Sequence, residues 1–426
     1  MSQPDVVVLG VGYVGLPLAT AFARLGRRVV AYDSDASRAA DLQRGVDRND
    51  PEGARFEVPE GLFFTAEEAA IHAASVYVIA VPTPIDGERR PDFGPLERAA
   101  DLIGRALAPG ALVVVESTVH PGATEEIVGP RVAAAGGWIQ GRDFQLGYSP
   151  ERMNPGDAGH GLADVVKVVS AESPEALARM TALYAPVIPA GLHAAPSIRV
   201  AEAAKITENI QRDVNIALMN ELALVYDRLG LRTEDVLAAA RTKWNFAPFA
   251  PGLVGGHCIG VDPYYLIAKA EAHGYYPELI RAARRLNDGM ADRIAQKVVM
   301  ILSTVGVAIS GARVGVLGVA FKANVSDARN SQVPAIVASL EALGAELRIA
   351  DPLVDPVLAR ATLDIELMEL ETVRELDALI LASPHDVFLA EGTDLARRVR
   401  PGGLFVDVRS VLDPKTLPSD RHYWSL

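Results

Sequence analysis

Short apolar runs rich in valine, leucine and isoleucine recur through the first part of the chain, at 6–9, 29–32, 76–81 and 112–116, with helical spacing between them. Continuous runs of this length read as strands buried on both faces. Their alternation with helices predicts a parallel, doubly wound α/β sheet. The same order returns near the C-terminus, at 313–317, 346–350, 378–382 and 404–407, and in both copies a proline (Pro82, Pro384) follows the third run. The chain reads as internally duplicated. Between the copies, 200–229 and 277–305 carry helical patterns of unusual length. The first is apolar enough that burial is expected, with a second subunit one of the surfaces that would supply it. Pro277 suits the start of the second.

The first turn of the first copy reads Gly10-Val-Gly12-Tyr13-Val14-Gly15, and Asp33 follows the second run, 18 residues after Gly15. Each part has a physical task. Gly10 permits a tight turn, Gly12 lets backbone N–H groups approach a pyrophosphate, and Gly15 allows close helix–sheet packing. Asp33 can accept both hydroxyls of an adenine ribose and would repel a 2′-phosphate, so NAD is expected rather than NADP. The second copy has Gly318-Val-Ala-Phe-Lys322 at the corresponding turn, and there a lysine could place a point charge on a phosphate. A solvated surface lysine is the alternative. The predicted architecture is two Rossmann-like doubly wound parallel-sheet domains joined by a long-helix connector.

Composition narrows the function. Of 426 residues, 50% are hydrophobic and 22% charged, without an apolar run of 18, which favours a soluble multi-domain protein over a membrane protein. The N-terminus leads straight into the first strand pattern, so secretion is not expected and the cytoplasm is. A net charge of −13 without a basic stripe argues against a nucleic-acid partner. No metal-ligand cluster is read. One cysteine cannot make an internal disulfide. A lone thiol is ordinarily an inert core residue, so only context could make it a nucleophile.

That context is the segment 251–265, where Gly252, Gly255, Gly256 and Gly260 surround Cys258, four residues before Asp262. Glycines at these positions could clear room for a ligand against the backbone. If the loop faces a nicotinamide, Cys258 can attack an aldehyde. The adduct can then give up a second hydride and leave a thioester for water to hydrolyse. On the first long helix, Lys205, Asn209 and Arg212 fall at i, i+4 and i+7 and share one face. A solvated stripe and the lining of a cleft are both open.

Taken together, Gly10–Ala19, Val81-Pro-Thr83-Pro84, Glu116-Ser-Thr118, Ser149-Pro-Glu151-Arg152, Lys205-Ile-Thr-Glu-Asn209, 255–262 and Phe321-Lys322 resemble the UDP-glucose/GDP-mannose dehydrogenase family over nearly the whole chain. Pro155, where the UDP-glucose branch usually has a glutamate, makes it more similar to the branch acting on UDP-N-acetylhexosamines. The resemblance implies an NAD-binding domain over 1–198, a central helical connector and dimerisation domain with the cysteine loop over 199–305, and a UDP-sugar-binding domain over 306–426. It also implies a homodimer, and a role in capsule or O-antigen precursor synthesis. By the same resemblance Cys258 is the nucleophile and Lys205 and Asp262 handle the proton and oxyanion. Thr118 and Glu151 order and activate water, and Asn209 binds near the reacting sugar. Cofactor contacts fall to Gly10, Gly12, Tyr13, Val14, Gly15, Asp33, Thr83, Thr118 and Arg329. Substrate contacts fall to Glu151, Arg152, Asn154, Lys205, Asn209, Gly255, Lys322 and Arg409, and to Arg241 from the partner subunit.

Two rivals remain in view. A β-hydroxyacid dehydrogenase shares the first fold unit and a catalytic lysine but needs no thiol and yields one NADH. A non-catalytic NAD- or nucleotide-sugar-binding regulator would keep the fold without the chemistry.

Overall fold

The computed structural model describes residues 3–48, 55–153 and 161–426. They form two compact units, residues 1–208 with 264–276 and residues 209–263 with 277–426.

The sheet of the first unit contains β1 (Val6–Leu9), β2 (Val29–Tyr32), β3 (Leu62–Thr65), β4 (Val76–Ile79), β5 (Ala111–Val115), β6 (Phe144–Tyr148), β7 (Lys167–Ala171) and β8 (Leu192–Ala194). Their order is β3-β2-β1-β4-β5-β6-β7-β8, and among the described residues only the β6–β7 pair is antiparallel. Alternation along each strand feeds two cores. Val7, Leu9, Tyr77, Ile79, Val113 and Val115 pack on one face, and Val6, Val8, Ala31, Val78, Leu112 and Val114 on the other. The order reverses between β1 and β4, which puts a ligand crevice at the carboxyl ends of these strands.

In the second unit β9 (Arg313–Leu317), β10 (Glu346–Ala350), β11 (Leu376–Leu381), β12 (Val399–Asp407) and β13 (His422–Ser425) run parallel in the order β10-β9-β11-β12-β13. Val314, Val316, Ile380 and Val406 face one core, while Leu317, Leu379, Leu381 and Phe405 face the other. The predicted fold class is therefore observed, two doubly wound sheets with the reversal beside the first strand of each.

The connector helix runs Ile198–Arg228. The expected helix over 277–305 is two, Glu278–Asp288 and Met290–Thr304, divided at Gly289 (φ −82°, ψ −2°). A glycine holds the helical conformation poorly, and the periodic pattern on either side of it hides the break.

Candidate active site

At the turn after β1, Gly10 has φ +89°, and a side chain there would sit 2.7 Å from the Ala80 carbonyl. A side chain on Gly15 would strike the Gly10 carbonyl, whereas one on Gly12 would meet nothing within 4 Å. Gly10 and Gly15 thus close the turn, and Gly12 leaves open space above it. The helix Gly15–Arg24 begins at Val14 without a side-chain cap, so its first N–H groups keep their capacity for an anion. Asp33 accepts Val11 N–H at 2.9 Å and Asp35 N–H at 3.0 Å, one bond on each oxygen. Two of the four acceptor directions of its carboxylate are left for ribose hydroxyls. Tyr13 is exposed at the turn, and the Thr83 hydroxyl donates to the Thr118 carbonyl at 2.8 Å, tying together the loops after β4 and β5. These residues fit an adenine dinucleotide with a free 2′-hydroxyl.

The second unit repeats this construction and closes it. Gly318 has φ +83° and is pressed against Ser383, as Gly10 is against Ala80. Asp351 stands where Asp33 does, at the end of the second strand. Its Oδ2 accepts Val319 N–H at 2.7 Å and Ala320 N–H at 3.1 Å, and its Oδ1 accepts Leu353 N–H at 2.9 Å and Val354 N–H at 3.2 Å. The fully buried His385 adds a fifth contact, Nε2 to Oδ2 at 3.1 Å, while its Nδ1 accepts Asn324 N–H at 2.8 Å. Burial pushes Asp351 upward, but His385 and the backbone bonds outweigh it and hold the carboxyl below its ordinary range. No acceptor direction is left for a ribose. No regular helix follows the turn before Val333, so a helix N-terminus does not serve a phosphate there either. What the turn presents instead is Lys322, exposed, two residues before the Asn324 that His385 anchors. His385→Ala is expected to cost about 2–4 kcal/mol of stability, from the vacated volume and the stranded polar groups. Urea unfolding of the variant checks this, and a loss below about 0.5 kcal/mol would show that the His385 bonds to Asp351 and Asn324 are not structural.

The connector helix carries a buried polar stripe: Glu202, Lys205, Asn209, Asp213 and Asn220 are each at most 8% exposed. Lys205 Nζ donates to the Glu151 carbonyl at 2.6 Å, and Asn209 Nδ2 to Asp262 Oδ2 at 2.5 Å. Arg212, expected on the same face, is exposed, and Asp213 takes the buried position beside it. From Asn209 the next turn of the stripe falls four residues on, not three.

Cys258 is exposed, unlike an ordinary core thiol. It lies in a turn, its carbonyl accepting Val261 N–H at 3.2 Å and Asp262 N–H at 2.9 Å, just before the helix Asp262–Ala272. The loop is pinned through its backbone. Asn220 takes both the N–H (2.8 Å) and the carbonyl (3.1 Å) of Gly252, and Gln332 donates to the Val254 carbonyl at 2.7 Å. Asn287 bonds Asn220 at 2.8 Å and Asp213 at 2.7 Å, and Arg284 pairs with Asp213 at 2.6 Å, so the buried stripe anchors the loop.

Three of the four loop glycines have a packing task. A side chain on Gly255 would lie 2.7 Å from the Asn330 carbonyl, one on Gly256 (φ +80°) 2.9 Å from the Phe321 ring, and one on Gly252 2.5 Å from the Arg409 guanidinium. They admit neighbouring protein, and only Gly260 has loose surroundings. Asn220, Asn287, Arg284 and Gln332 were missed in the sequence. The spacing of Asp213 and Asn220, four and eleven residues beyond Asn209 on an apolar helix, was the available signal.

The other expected residues are dispersed. Arg152 pairs with Glu208 at 2.8 Å and donates to the Val166 carbonyl at 2.7 Å. Arg241 pairs with Glu234 at 2.5 Å, and Arg329 forks onto Asp327 at 3.0 and 2.8 Å. Asn154 and Pro155 lie outside the described residues. Among the described residues no cluster suited to a metal ion occurs, and no helix is long and apolar enough to cross a membrane.

Three segments match one family in order: its NAD binding domain over 4–188, its central domain over 199–289 and its UDP binding domain over 315–414. The protein CapL of Staphylococcus aureus is 41% identical, with 99% of each chain covered. The chain belongs to the UDP-glucose/GDP-mannose dehydrogenase family. It is thus an NAD-dependent nucleotide-sugar dehydrogenase whose substrate is a UDP-sugar, which removes the hydroxyacid-dehydrogenase rival. The UDP-N-acetyl-D-glucosamine 6-dehydrogenase of Pseudomonas aeruginosa is 43% identical, covering 97% of this chain and 98% of that protein. The solved UDP-D-ManNAc dehydrogenase of Pyrococcus horikoshii superposes with a TM-score of 0.89 at 30% identity, covering 99% of this chain and 98% of that one.

Proposed function

We propose that this dehydrogenase oxidises C6 of a UDP-N-acetylhexosamine, with the gluco or galacto configuration, twice to the uronate through a thioester on Cys258. The observation that carries the reading is the exposed thiol on a loop fixed at Gly252, Val254 and Asp262. The 43% identity to a UDP-N-acetyl-D-glucosamine 6-dehydrogenase, against 34% to the UDP-N-acetyl-D-mannosamine dehydrogenase of Salmonella typhi, supports the choice of sugar.

NAD, held by Gly10, Gly12, Tyr13, Val14, Gly15, Asp33, Thr83, Thr118 and Arg329, supplies the hydride acceptor for both oxidations. The Cys258 sulfur adds to the C6 aldehyde carbon, and the oxygen of the adduct takes its charge stabilisation from the Lys205 ammonium. Asp262, fixed by Asn209, takes the proton through water. At the thioester, water oriented by Thr118 and Glu151 attacks the carbonyl carbon. The C–S bond breaks, the sulfur leaves as thiolate and the sugar carboxylate is released. Arg152, Asn154, Gly255, Lys322 and Arg409 are assigned to substrate, with Arg241 acting on the partner subunit's substrate. The domain roles follow as 1–198 for NAD, 199–305 for the connector and cysteine loop, and 306–426 for the UDP moiety.

A homodimer is part of the reading, supported by Leu218 and Val225, seven residues apart and exposed on the connector helix, and by Trp244 at 92% exposure. So is a cytoplasmic enzyme supplying uronate precursors for capsule or O-antigen.

Initial rates with UDP-glucose, UDP-N-acetylglucosamine, UDP-N-acetylgalactosamine and UDP-N-acetylmannosamine test the substrate. Two NADH per sugar with a gluco- or galacto-configured acetamido sugar is the expected result. Preference for UDP-glucose or the manno sugar would overturn the assignment.

For the cofactor, Asp33→Ser is expected to raise the KM for NAD about 10–100-fold, the loss of two charge-assisted hydrogen bonds, and to admit NADP. Rates with each cofactor check it, and an unchanged KM for NAD would remove Asp33 from the ribose site.

A further inference from the structure

Behind Glu151 lies a set of buried charges to which the chemistry above gives no task. Lys167, at the start of β7, and Glu116, just past the end of β5, have side chains only 4% and 0% exposed and pair at 2.7 Å. The Tyr184 hydroxyl donates to the other oxygen of Glu116 at 2.6 Å, and its ring lies 5.4 Å from the Lys167 ammonium. Lys167 also donates to the Pro150 carbonyl at 3.3 Å and to Glu151 Oε2 at 3.4 Å. All three of its N–H donors are thereby engaged. Glu151 Oε1 is held separately by the N–H groups of Arg152 and Met153, each at 2.6 Å, and the Glu151 carbonyl takes the Lys205 ammonium.

Stability does not account for this arrangement. A buried ion pair is often no more stabilising than well-packed apolar residues of the same volume. Here two carboxylates share one ammonium, which is worse than a balanced pair. Burial pushes Glu116 up to about 7 against the pull of Lys167. Burial also opposes the Lys167 charge, yet the carboxylates of Glu116 and Glu151 outweigh it and lift the ammonium above its ordinary range. What the cluster does achieve is geometric. With Oε1 fixed from the backbone and Oε2 fixed from Lys167, the Glu151 carboxylate cannot rotate, and among the described residues one lone-pair direction of Oε2 stays open.

We propose that Lys167, with Glu116 as its buried counter-ion and Tyr184 as the outer anchor, is a positioning residue that sets the Glu151 carboxylate for thioester hydrolysis. This rests on the reading of Glu151 as the residue that activates water. The predicted defect is confined to one step. Addition of the thiol and both oxidations proceed, and release of the uronate is slow.

The test uses the full-length enzyme with NAD and the UDP-sugar it turns over, in stopped flow and by intact mass after acid quench. Lys167→Met combined with Glu116→Gln removes both charges together. The pair is expected to give a burst of two NADH per site at the native rate, then steady turnover slowed about 10–100-fold, with the protein carrying a sugar adduct on Cys258. Tyr184→Phe keeps the ring and deletes one hydroxyl. It gives the same signature at about threefold to tenfold, and decides the matter if the double variant does not fold. Burst and steady rate falling together, with no adduct, overturn the proposal. Glu151→Gln, run alongside, separates the premise from the inference. An adduct in Glu151→Gln with none in the positioning variants overturns the inference alone, and no adduct in Glu151→Gln removes the premise and the inference with it.

Discussion

Cys258→Ala is expected to abolish uronate formation, lowering kcat by roughly 10⁴-fold or more, since without the sulfur neither adduct nor thioester can form. Binding should survive. The side chain is exposed, and its loop is held by backbone bonds from Asn220 and Gln332 and by Phe321 against Gly255 and Gly256. Truncating one thiol there leaves those anchors in place, so the affinity for UDP-sugar should stay within about threefold and the unfolding midpoint should not move. NADH counted against sugar consumed, with intact mass of the quenched enzyme, reads the result. A variant that still makes two NADH per sugar would sink the covalent mechanism. One that binds UDP-sugar poorly would show that the loop builds the substrate site rather than the chemistry.

The architecture was legible where a strand is buried on both faces. β1 and β2 fall at their expected positions because an uninterrupted apolar run has no other stable use in an α/β chain. β3 was missed despite its apolar Leu62-Phe63-Phe64, and other missed strands have a broken apolar signal. β6 carries Gln145 and Gly147, and β13 carries His422 and Ser425. Such segments become strands because a neighbour is already there to pair with, and that information lies outside the segment. The site divides in the same way. Gly10, Gly12 and Asp33 announce themselves because their backbone demands are local. The anchors of the cysteine loop do not, since Asn220, Asn287 and Gln332 act across 32 to 78 residues of sequence.

The duplicated acid shows how one scaffold was turned to two ends. Asp33 spends two acceptor directions on its own turn and keeps two, whereas Asp351 spends all of them on four N–H groups and His385. The sequence shows an aspartate in both places. What separates them is His385, a histidine just after the Ser383-Pro384 turn, whose meaning depends on where the β11 turn carries it.

Lys205→Met is expected to lower kcat by about 10²–10⁴-fold while leaving the KM for NAD within about threefold. Lys205 is 8% exposed and its ammonium is bonded to the Glu151 carbonyl at 2.6 Å, so its position is set before substrate arrives. Methionine keeps most of the length and apolar contact but offers neither charge nor proton. The loss should therefore fall on the steps in which oxygen charge develops at C6. Lys205→Arg should not recover activity. A planar guanidinium is wider than an ammonium and places its charge farther along the side chain. With substrate deuterated at C6, the Lys205→Met variant should show a full primary isotope effect on kcat, because hydride loss from an unassisted alcohol becomes rate-limiting. A kcat within tenfold of the native enzyme would reduce Lys205 to a support for the Glu151 backbone. Since the methionine variant leaves that carbonyl without its donor, a support role would appear instead as the adduct on Cys258 expected of the Glu151 variants, and mass spectrometry tells the two apart.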